Sequence, residues 1–151
     1  MTKKVLVTEK LADAGLAVLR DKGYEVDVRL GPEELVAAIP AYDALIVRSA
    51  TKVDRAVIEA AENLRIIGRA GVGVDNVDVE AATECGVIVC NAPNSNVISA
   101  AEHTMALLLA AARHIPEASA SMHEGQWRRA DFMGSELFGK TLAIFGLGRV
   151  G

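Results

Sequence analysis

Short apolar runs recur along the chain, and between them hydrophobic residues fall at helical spacing. Val5-Leu6-Val7 reads as a strand. Leu11, Ala14, Val18 and Leu19 then lie on one helical face across residues 11–22, and Gly23 stops that helix. Residues 24–30 alternate through Val26 and Val28, which predicts a second strand. Gly31-Pro32-Glu33-Glu34 predicts a helix start, because proline suits the first helical position and acids suit the positive end of the helix dipole. Ala44-Leu45-Ile46-Val47, Arg65-Ile66-Ile67 and Val87-Ile88-Val89-Cys90 are further strand-like runs, separated by helices over 55–61, with Asp54 as cap, and around 79–84.

These runs mostly lack alternation, as a sheet buried on both faces requires. Strands alternating with helices through short connections predict βαβ units and a parallel sheet, hence an open α/β fold. The pattern changes near Asn91. Asn91-Ala92-Pro93-Asn94-Ser95-Asn96 reads as a connector, followed by a long helix from Ala100 to Ile115 whose apolar residues cover more than one face. Such a helix is expected to be buried between layers or at a subunit contact. Its cap is either Asn96 or a Ser99/Glu102 capping box, and Pro116 kinks or ends it. A loop at 125–129 holds Trp127, read as an interface or core anchor, and Thr141-Leu142-Ala143-Ile144-Phe145 predicts one more buried strand.

Composition narrows the function. The chain has 151 residues, 51% of them hydrophobic but only 4% aromatic, so its core is aliphatic. The formal net charge of -4 argues against nucleic acid or an anionic membrane as the main partner. The longest apolar run, 105–112, is too short to span a bilayer, and no signal-peptide pattern precedes the first strand. A soluble, cytoplasmic protein is expected. Cys85 and Cys90 have no metal-ligand spacing and read as buried, reduced thiols. His103, His114 and His123 lack partners at ligand spacing and read as structural or solvent-facing.

Two features carry chemistry. The last strand runs into Gly146-Leu147-Gly148-Arg149-Val150-Gly151, a GxGxxG turn that lets backbone approach a dinucleotide pyrophosphate. Independently, Arg48 and Ser49 follow one strand and Arg69 another, so in a parallel sheet all three lie at the carboxyl edge where ligands bind. Gly71-Val72-Gly73 follows and could form an anion nest. Two arginines and a nest suit a small, multiply anionic substrate, since arginine grips carboxylate or phosphate bidentately.

Val47-Arg48-Ser49-Ala50-Thr51, residues 68–78, Asn91 to Asn96, Ser99 to Thr104 and Phe138 to Gly151 together resemble the D-2-hydroxyacid dehydrogenases, in order and over essentially the whole chain. Among these, the resemblance is strongest to enzymes acting on D-3-phosphoglycerate. It implies a flavodoxin-like substrate domain over 1–95, lacking its C-terminal return, and the start of a Rossmann nucleotide-binding domain over 96–151. Arg48, Ser49, Arg69, Asn96 and the backbone of Val72 and Gly73 would hold the substrate. Val72, Gly146, Gly148, Arg149, Val150 and Gly151 would meet NAD. The family's catalytic arginine, histidine and glutamate fall beyond Gly151 in this pattern, so the segment alone is expected to be inactive and to expose an unfilled apolar patch. The reaction implied is oxidation of 3-phosphoglycerate to 3-phosphohydroxypyruvate, the first step towards L-serine, in a homo-oligomer formed through the nucleotide domain. The competing readings are another member of the family, such as a glyoxylate or hydroxypyruvate reductase, and a non-catalytic dinucleotide-sensing corepressor.

Overall fold

The computed structural model describes residues 2–29 and 34–151, which fold as two compact units, 1–95 and 96–151. The expected helix start at Gly31-Pro32-Glu33 lies outside the described residues.

The first unit is a five-stranded, wholly parallel sheet: β1 (Lys4–Val7), β2 (Glu25–Val28), β3 (Ala44–Val47), β4 (Ile66–Arg69) and β5 (Ile88–Asn91). Its order is β2-β1-β3-β4-β5, the flavodoxin-like arrangement. The helices are α1 (Asp13–Asp21), α2 (Leu35–Ala38), α3 (Arg55–Glu59) and α4 (Val79–Glu84). Asp54 caps α3 as expected, accepting from the Val57 N–H at 3.3 Å. Asp78 does the same for α4, accepting from the Ala81 N–H at 2.9 Å.

Register assigns each face. Leu6, Leu45, Ile67 and Val89 are aligned neighbours across four strands. They build the main core with Ile39, Tyr42, Val57, Ile58 and the two alanines Ala81 and Ala82. Burying a side chain such as Leu45 contributes roughly 1.5–3 kcal/mol. The opposite face carries Val5, Val7 and Ile46, packed with Leu16 and Leu19.

That second face is only partly covered, which corrects the expectation of a sheet buried on both sides. Ile88 is 64% exposed there, and an open, largely apolar groove of about 430 Å³ runs along Val5, Leu19, Tyr24, Ile46, Ile66 and Cys90. The thiols follow suit. Cys90 sits on this open face of edge strand β5 and Cys85 at the C-terminal cap of α4, so both are exposed and not buried as expected.

The second unit contains α5 (Val97–Ala112), α6 (Ile115–His123) and a 3₁₀ turn (Arg129–Phe132), with no strand among the described residues. The expected strand at 141–145 is therefore absent: its apolar residues have no neighbouring strand to pair with, and Leu142 and Ile144 are exposed. α5 starts earlier than expected, with Asn96 as its cap residue and Ser99 inside the helix, and it contains no buried residue. Of the two expected settings, burial between layers is not found, because this unit has no sheet to lay against the helix. The break before Pro116 is real: His114 adopts a left-handed conformation with φ 52°. The Ala112 carbonyl left by the break accepts from the Ser135 N–H at 2.7 Å. Trp127 is exposed and anchors no core.

Candidate functional site

In a 2-1-3-4-5 sheet the chain reverses direction of travel between β1 and β3, and a crevice opens at their carboxyl ends. The arginines lie there. β3 ends at Val47, so Arg48 and Ser49 enter the loop directly behind it, both exposed. Val47 is the register partner of Arg69, which is the last residue of β4 and not beyond the strand as expected. Arg48 and Arg69 thus stand at the ends of adjacent strands, and the Ala70 N–H reaches back to the Val47 carbonyl at 2.8 Å.

The loop of residues 48–51 is held from both sides. Glu9, just after β1, accepts from the Arg48 N–H (2.9 Å) and the Thr51 N–H (3.0 Å) on Oε1, and from the Ala50 N–H (3.3 Å) on Oε2. Burial works to raise this carboxyl's pKa. The backbone donors of Thr51, Arg48 and Ala50 outweigh it and hold Glu9 below the ordinary carboxylate range. From the other side, Asn76 Nδ2 donates to the carbonyls of Arg48 (2.7 Å) and Thr51 (2.6 Å). A buried hydroxyl pair, Thr8 with Thr51 at 2.8 Å, ties β1 to the same loop. The Arg48 guanidinium itself donates to the Lys10 carbonyl at 3.4 Å.

The glycine loop behaves only partly as expected. Gly71 spends its N–H on the Arg69 carbonyl, so that donor is not offered to a ligand. Its absence of a side chain has another use. A Cβ at position 71 would run into the Arg69 guanidinium, with Arg69 Cζ 2.8 Å away. Gly71 therefore gives Arg69 the space in which it lies. Arg69 Nε is buried and unpaired, a donor left over at the carboxyl edge. Asn91 fixes the far side of the loop, its Nδ2 donating to the Val72 carbonyl at 2.5 Å.

In the second unit, Asn96 heads α5 and makes no capping hydrogen bond with its side chain. The glycine-rich turn is formed: Gly146 has φ 108°, and a Cβ at Gly151 would strike the Gly146 carbonyl group. The first and third glycines are thus required by backbone geometry, as a tight phosphate-approaching turn demands. Gly148, Arg149 and Val150 line a cleft of about 680 Å³ between this turn and Ala101, Thr104 and Met105 of α5.

The residues that position the edge, Glu9 and Asn76, went unrecognised in the sequence. A glutamate after a strand has no distinctive signal until the strand order places it beside β3. Asn76 sat in view, inside the same glycine-rich stretch as Arg69.

The profile of the D-isomer specific 2-hydroxyacid dehydrogenase catalytic domain matches residues 5–142. This chain belongs to that family. It is 57% identical over 150 residues to a D-3-phosphoglycerate dehydrogenase of Archaeoglobus fulgidus, a match that covers 98% of this chain and 28% of the relative. The chain thus spans little more than a quarter of the length of the curated relatives it matches. A solved structure from Thermus thermophilus superposes with a TM-score of 0.91 at 37% identity, over 98% of this chain and 50% of that one. The NAD+-bound 3-phosphoglycerate dehydrogenase of Entamoeba histolytica matches with a TM-score of 0.67 at 30% identity, over 75% of this chain and 40% of that one. No helix among the described residues is long and apolar enough to cross a membrane.

Proposed function

We propose that this segment supplies the substrate edge and the opening of the cofactor domain of an NAD-dependent D-3-phosphoglycerate dehydrogenase, which oxidises the 2-hydroxyl of 3-phosphoglycerate on the route to L-serine. The observation that carries the substrate is the pairing of Val47 with Arg69, which stations Arg48 and Arg69 at adjacent strand ends. A phosphate and a carboxylate on one small molecule need two cations, whereas a simple 2-oxo acid needs one. The identity of the relatives supports the same reading. Arg48, Ser49 and Arg69 bind and orient the acid groups, assisted by the backbone of Val72 and Gly73.

Gly146, Gly148, Arg149, Val150 and Gly151 would hold NAD, for which the side-chain-free approach of Gly151 to Gly146 is suited. When bound, the nicotinamide accepts the hydride from the substrate carbon. Homo-oligomerisation through the 96–151 unit and a cytoplasmic location belong to the same proposal.

The test is steady-state kinetics of the full-length protein with NAD+ and 3-phosphoglycerate, following NADH absorbance. Arg48→Ala and Arg69→Ala should each raise KM for 3-phosphoglycerate by about tenfold to a hundredfold, as loss of a charge-assisted contact does. Inert 3-phosphoglycerate beside active glyoxylate or hydroxypyruvate would keep the family and overturn the substrate.

A further inference from the structure

The hydrogen bonds around residues 48–51 join one acidic side chain to three backbone donors in a loop 39–42 residues away. We propose that Glu9 is a positioning residue for substrate: its carboxylate fixes the backbone of the 48–51 loop and so sets where Arg48 and Ser49 present themselves. This rests on the reading of Arg48 and Ser49 as substrate contacts.

Four observations converge on it. Three of the loop's N–H groups, at 48, 50 and 51, turn to one carboxylate, so an internal anion fills the concavity that they form. Arg48 and Ser49 themselves remain exposed. The Arg48 and Thr51 carbonyls of the same loop accept from Asn76 Nδ2 at 2.6–2.7 Å, so the main chain is held on its carbonyl side as well as its N–H side. Finally, Lys10, the next residue after Glu9, receives the Arg48 guanidinium on its carbonyl. The β1–α1 connection thus sets both the main chain and the side chain of Arg48. Glu9 contributes no group to the substrate itself; its work is orientation, which catalysis rewards steeply because small displacements of a binding group weaken transition-state contacts.

Glutamine is the informative replacement. It keeps one oxygen to accept from Arg48 and Thr51, but its amide nitrogen cannot accept from Ala50. In the full-length enzyme, Glu9→Gln should raise KM for 3-phosphoglycerate about tenfold, with kcat and KM for NAD+ changed less than about twofold and little change in Tm. Glu9→Asp, which keeps the charge on a shorter arm, should recover part of the loss. A Glu9→Gln enzyme with wild-type KM, beside an Arg48→Ala enzyme whose KM has risen, would overturn the positioning role and leave the substrate site intact. An enzyme that loses Tm and both KM values together would show Glu9 to be merely structural and would equally overturn it. An Arg48→Ala enzyme with unchanged KM would sink the substrate reading itself, and this inference with it. Should Glu9→Gln fail to fold, Asn76→Ala loosens the loop from its carbonyl side, and the same split between KM and kcat decides.

Discussion

Residues 44–47 and 141–145 are almost interchangeable as sequence, yet they end in opposite conditions. Ala44-Leu45-Ile46-Val47 becomes a central strand with Leu45 and Val47 fully buried. Thr141-Leu142-Ala143-Ile144-Phe145 forms no strand, and Phe145 is 98% exposed. The difference is company. β3 has β1 on one side and β4 on the other, with α2, α3 and α4 supplying apolar side chains over one face. The second segment has no paired strand in its unit. A strand is a property of the sheet that receives it, and an apolar run states only that it can be received.

The largest test of that contrast is a pair of truncations. Leu45→Ala should cost the 151-residue chain about 2–5 kcal/mol in urea unfolding, because it opens a cavity in a closed core. Leu142→Ala should cost close to nothing, since its side chain is already more than half in water. Equal losses would show that the 141–145 segment is packed in solution.

Helix caps give a smaller version. Asp78→Ala removes a bonded cap of α4 and should cost about 1 kcal/mol, whereas Asn96→Ala removes a cap residue whose side chain makes no such bond and should be nearly neutral. Both values come from the same urea titrations.

The smallest effect is local and set by pH. Glu9 is held below the ordinary carboxylate range, so its contribution is complete above the unfolded-state value and is lost as pH falls through the lower folded value. Protection of the Arg48, Ala50 and Thr51 amides, relative to free-peptide exchange at the same pH, should fall in acid before that of the β3–β4 ladder. Simultaneous loss of protection at all of them would mean that the loop has no separate dependence on Glu9.

The sequence was legible where a local rule decides the outcome. Asp54 caps because its side chain needs only the next turn of its own helix, and the β3 run at 44–47 is delimited by its own composition. The positions of Arg48 and Arg69 followed from the same reading, because strand ends and the parallel sense suffice to bring them to one edge. What stayed hidden depends on partners distant in sequence. Glu9 acquires meaning only through strand order. Cys90 is exposed because its face of the sheet is only partly covered, not because of anything in its neighbours along the chain. The tight glycine turn at 146–151 could be read from its three glycines, while the strand expected to lead into it could not be realised from its own residues.

The close fit of Gly71 beneath the Arg69 side chain makes these two positions partners in inheritance. A methyl group at 71 would displace the end of a flexible side chain, a movement that stability assays would scarcely register, yet the displaced group is the cation to which the proposed function gives the substrate's acid group. Drift at position 71 is therefore invisible to selection for folding and visible to selection for turnover.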